Sequence, residues 1–75
     1  MVTTDQRRAL AILAETGRDG AAEAIMAARF GVEVPDGLVR KGWASVDVES
    51  VRAGGRTFGV VRMRITAAGR LALAA

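Results

Sequence analysis

The 75-residue chain has no cysteine, no histidine and no tyrosine, and only one proline and three aromatic residues. Without cysteine there is no disulfide, no thiolate nucleophile and no zinc finger. Without histidine there is no imidazole base for a serine triad and no soft nitrogen ligand for a transition metal. The only two serines, Ser45 and Ser50, have no base in sight. Between the carboxylates and the single Lys41, almost nothing titrates except the chain amine. An enzyme is therefore not expected, and neither a cofactor nor a metal is implied. Long apolar runs are missing too. The longest, Ala9–Ala14, falls far short of a membrane span or a signal-peptide core, so a cytoplasmic chain without membrane contact is expected.

What is present suffices for one small domain spanning residues 1–75. Of the 51% of residues that are hydrophobic, fifteen are alanine, which leaves 23 larger side chains, nine of them valine. That number supports one modest two-layer core and no deep substrate cavity. Eleven basic and eight acidic residues give a net charge of +3, but the charge is unevenly spread. Residues 1–38 carry four bases and six acids, a net of −2. Residues 39–75 carry seven bases and two acids, a net of +5, with five arginines and no acidic side chain beyond Glu49. Such asymmetry suits a phosphate-facing surface, although a solvated face produces it as well.

Thr3-x-x-Gln6 reads as a capping box opening a helix that carries Leu10, Leu13 and Ala14 on one face. Gly17 and Gly20 stop it. A second helix, capped by Asp19 or Gly20, places Ala22, Ile25, Met26 and Phe30 at one-face spacing and ends at Gly31. A third runs from about Glu33 to Lys41, with Pro35 tolerated in its first turn and Gly42 as a left-handed cap. The period then changes to two. Val46 and Val48 alternate with Asp47 and Glu49, Gly54-Gly55 is a two-residue turn signal, and Arg56–Ile65 forms the returning strand. That turn pairs Ala53 with Arg56, sets Val48 against Val61 and Val46 against Met63, and lays Asp47 opposite Arg62. Thr66 caps a last helix holding Leu71 and Leu73.

Three helices, a two-stranded β-hairpin wing and a short C-terminal helix make an α+β chain in the order of a winged helix-turn-helix domain. Leu38-Val39-Arg40-Lys41-Gly42-Trp43-Ala44 resembles the Leu-Val-Arg-Arg-Gly-Leu-Ala segment that ends the recognition helix in many MarR- and PadR-like winged-helix regulators. Arg64-Ile65-Thr66-Ala67-Ala68-Gly69-Arg70 resembles their Arg-Leu-Thr-x-x-Gly-Arg segment, where the second wing strand enters the next helix. The chain is also similar to small winged-helix proteins of Arg-rich bacterial proteomes. The resemblance implies the fold and, for the regulators, DNA binding and transcription regulation. One departure stands out. The third helix starts Glu33-Val34-Pro35-Asp36-Gly37, two acids with no amide or hydroxyl to read base edges.

Two binding functions follow as expectations. In the first, the protein contacts DNA mainly through its backbone. Arg52 and Arg56 touch it from the wing tip, Arg40 and Lys41 anchor phosphates at the helix end, and Arg62 and Arg64 share one strand face. Four to six such contacts lower log K by roughly 0.9 each per decade of salt. The bland alternative is that Arg62 pairs with Asp47 while the other bases are solvated. In the second, Val51, Phe58 and Val60, on the hairpin face opposite Val46, Val48, Val61 and Met63, form an interface for a protein partner or a homodimer. Trp43 reads as a core residue bridging the third helix and the wing. Glu33 and Asp36 read as acids serving the helix dipole. Gly54–Gly59 lacks the Gly-Lys-Ser/Thr ending of a phosphate loop.

Overall fold

Thr3 opens the first helix as its capping box implies. Its hydroxyl accepts from the Gln6 N–H at 3.1 Å, and the Gln6 side chain accepts from the Thr3 N–H at 2.9 Å. Helix α1 then runs Thr4–Thr16 and turns through a short 3-10 segment, Gly17–Asp19. The computed structural model describes all 75 residues and continues with β1 (Ala21–Ala22), α2 (Glu23–Phe30), α3 (Glu33–Arg40), β2 (Ala44–Ala53), β3 (Arg56–Ile65) and α4 (Ala67–Ala74). The result is an α+β chain of four α-helices and one antiparallel sheet in the order β1-β3-β2. No helix is long and apolar enough to cross a membrane.

The sheet has three strands where two were expected. Ala21 and Ala22 pair with Met63 and Arg62 along the free edge of β3, so the second helix begins at Glu23 with Ala22 at its N-cap, in place of the expected Asp19 or Gly20. Gly20 makes this approach feasible. Its φ is +67°, and a β-carbon there would collide with the Met63 carbonyl oxygen. A strand of two alanines carries no alternation that a sequence reading can detect.

The hairpin register is the expected one throughout, from Ala44–Ile65 through Asp47–Arg62 to Ala53–Arg56. Gly54 and Gly55 both take positive φ, +58° and +75°, as a tight primed turn requires. Helix α3 ends on Gly42 at φ +75°, with the Gly42 N–H bonded to the Val39 carbonyl and the Trp43 N–H to the Leu38 carbonyl. These two hydrogen bonds satisfy orphan carbonyls of the last turn. Thr66 caps α4 by accepting from the Gly69 N–H at 3.0 Å. Its hydroxyl donates to the Gly42 carbonyl at 2.6 Å and its N–H to the Trp43 carbonyl at 3.0 Å. The two segments from Leu38 and from Arg64 therefore meet in a seam beneath the hairpin base.

One core lies behind that seam. Ala9, Leu10 and Leu13 of α1, Met26 of α2, Leu38 of α3, Ala44 of β2 and Met63 of β3 are its buried apolar members, with Phe30, Trp43, Ile65 and Leu73 packed partly against it. Ile25, placed on an apolar helix face by its spacing, instead points to solvent at 66% exposure, and Leu71 of α4 is 74% exposed. None of the nine valines is buried. For the five in the hairpin, Val46, Val48, Val51, Val60 and Val61, the reason is length. Each hairpin strand has ten residues, about 33 Å, while the whole molecule measures 45 × 22 × 19 Å. Only the base of the hairpin can lie over the helices, and the remainder projects as a two-stranded arm.

Candidate binding surface

Alternation along the strands divides the arm into two faces. The first continues the core outward: Ala44 and Met63 are buried, then Val46, Val48 and Val61 emerge at 42%, 70% and 38% exposure. Gly59 lies beside Val48 on this face, and Arg52 ends it, paired with Thr57. The second face carries Asp47, Glu49, Arg62 and Arg64 near the base and Val51, Phe58 and Val60 near the tip, with Arg56 at its end. Arg52 and Arg56 flank the turn but belong to opposite faces.

The charges near the base of the second face satisfy one another. Arg62 bonds Glu49 at 2.8 Å and Arg64 bonds Asp47 at 2.7 Å, while Arg64 also donates to the Arg18 carbonyl. Asp47 lies opposite Arg62 in the register, yet the expected Arg62–Asp47 pair does not form. Each long guanidinium leans to the diagonal neighbour, one pair along. Arg40 is engaged as well, holding Asp36 one turn back at 2.6 Å. That hydrogen bond, and then the carboxylate's charge, raise the Arg40 pKa above its ordinary value. Lys41 makes no ion pair; its ammonium sits 5.2 Å from the centre of the Trp43 ring. Of the six nominated bases, Arg52, Arg56 and Lys41 remain free of acidic partners.

Val51 and Val60 are half-buried against their neighbours, and Phe58 is 47% exposed. These three form a small apolar island at the outer end of the second face. A larger apolar surface lies on the first. An open groove of about 430 Å³ runs between α2, α3 and β2, lined by Ala27, Val32, Pro35, Val39 and Val46 and edged by Glu23, Glu33 and Asp36. Val32 is 71% exposed at its mouth. Through Val46 the groove continues into Val48 and Val61 on the arm. No protein family, curated protein or solved structure matches the chain.

The valines of this surface, Val32 and Val39 as well as Val46, Val48 and Val61, were not nominated by sequence reasoning. An available signal was strand length, since ten-residue strands with apolar alternation outrun a core that 75 residues can build. Helix α3 presents Glu33, Asp36, Val39 and Arg40 to solvent. Chemically the surface is an apolar trough with an acidic rim at one end and the free Arg52 guanidinium at the other.

Proposed function

We propose that the chain is a non-catalytic interaction module on a winged-helix scaffold, which binds protein through the apolar trough formed by α2, α3 and the inner face of the arm. The scaffold reading is supported by the order of three helices, hairpin and closing helix, and by the meeting of the two segments that resemble winged-helix regulators. The observation that carries the function is the run of exposed valines from Val32 and Val39 across Val46 to Val48 and Val61, edged by Glu23, Glu33 and Asp36. Exposed apolar runs of this kind mark protein interfaces, and acids along the edge favour a partner with basic flanks. The same acids repel phosphate at the start of α3, where a DNA-reading helix needs donors.

The probe is a pair of amphipathic peptides, one Leu/Arg-rich and one Leu/Glu-rich, titrated against the isotope-labelled protein. The Leu/Arg peptide is expected to shift the amides of Val32, Val39 and Val46, and Val39→Asp to abolish the shifts. Equal binding of the acidic peptide, or no binding of either, overturns the reading.

A second reading, DNA contact, is favoured by the free Arg52, Arg56 and Lys41. Three phosphate contacts lower log K by about 2.7 per decade of salt on duplex DNA. A random duplex that binds at about 50 mM salt with that slope supports it; no affinity there removes it.

A further inference from the structure

We infer that the partner this surface fits is a second copy of the chain, docked antiparallel across a two-fold axis through the inner faces of the two arms. The inference rests on the protein-binding reading above and names the occupant. Along the inner face the chemistry is ordered: the unpaired acids Glu23 and Glu33 at the groove, with Asp36 beside them held by Arg40, then Val46, Val61 and Val48, then Gly59 and Thr57, then Arg52 at the tip. A surface acidic at one end, apolar in the middle and basic at the other is complementary to its own inverted copy. In an isologous contact the two ends are matched twice, so both acid–base ends are satisfied at once while Val48 and Val61 of each copy lie over Ser50 and Gly59 of the other beside the axis.

The dimensions agree. Arg52 lies six residues beyond Val46, about 20 Å along the strand, so an axis halfway between them brings each tip over the other copy's groove. The chain also exposes 4995 Å², where a folded monomer of its mass exposes about 4,400 Å². An arm whose residues from Ser45 to Gly59 are all exposed except Val51 contributes to that excess. The outer face is a poorer candidate, because Asp47 and Glu49 are already held by Arg64 and Arg62 and leave no acidic end for Arg56.

The test uses Arg52→Glu and Glu33→Arg, at positions that make no ion pair within the chain. Sedimentation equilibrium of the full chain, from about 10 μM to about 1 mM to span a small interface, is expected to show a monomer–dimer equilibrium. Each single variant places like charges at both ends and weakens the dimer by roughly tenfold. An equimolar mixture of the two variants is complementary at both ends, so its dimer content recovers towards that of the unaltered chain. Unchanged far-ultraviolet dichroism of each variant shows that the fold is intact. An unaltered chain that stays monomeric at about 1 mM, or a mixture no more associated than its components, overturns the inference. Should the Leu/Arg peptide still bind the groove in that case, the second copy is excluded while the protein-binding reading stands. If the peptide fails as well, both fall.

Discussion

In the helical body, buried apolar side chains from α1, α2, α3 and the hairpin base share one core, so every element there is held by non-local contact. In the arm, from Ser45 to Gly59, every residue except Val51 is exposed, and the strands are held by each other's backbone, a glycine turn and salt bridges at the surface. The body draws its stability from the hydrophobic effect, the arm from local pairing that is worth little alone. The two regions therefore differ in what holds them. One fixes the arm's direction, and the other leaves apolar and charged groups exposed.

The sharpest way to break this contrast is to truncate one apolar residue in each region. Leu10→Ala removes a fully buried side chain and should cost about 3 kcal/mol, a fall of roughly 12–24 °C in the thermal midpoint. Val48→Ala, at 70% exposure, should change stability by less than about 0.5 kcal/mol in the same melt. Comparable costs would mean that the arm belongs to the core.

Next in size is the seam that joins the regions. Gly69 lies against the Trp43 carbonyl, and a β-carbon there meets backbone that cannot step aside. Gly69→Ala should cost about 2 kcal/mol by chemical denaturation, with an unchanged denaturant slope. At the arm tip, Gly54→Ala forces a side chain into φ +58° and should cost about 1 kcal/mol. Amide exchange should show that cost confined to the outer hairpin pairs, with protection in α1 preserved. The smallest effect is expected for Glu49→Gln, which removes the Arg62 pair at an exposed site and should shift stability by less than about 0.5 kcal/mol. A larger loss would give the outer-face charges a structural role that their exposure denies them.

Much of the architecture was legible because its causes are local. The Thr3/Gln6 box, the Gly42 stop, the Thr66 cap and the Gly54-Gly55 turn each act within a few residues, and the turn sets the register of all ten strand pairs. What escaped notice has causes spread through space. Strand β1 exists because Gly20 lets the chain approach Met63, 43 positions away in sequence. Arg62 chose Glu49 over Asp47 because a long side chain on a pleated ribbon can reach a diagonal neighbour as well as a direct one. The candidate surface was only partly visible for the same reason. Alternation shows that Val46 and Val61 share a face, but not where the covering helices stop.

By itself the sequence determined the absence of histidine and cysteine chemistry, the caps, the turn and the pairing register, since these depend on residue identity and short-range geometry. Only the tertiary structure decided which apolar residues are covered. Burial is set by how far α1, α2 and α3 extend over the hairpin, and they cover its base alone. That limit leaves Val46, Val48 and Val61 on an exposed face, with acids at one end and Arg52 at the other.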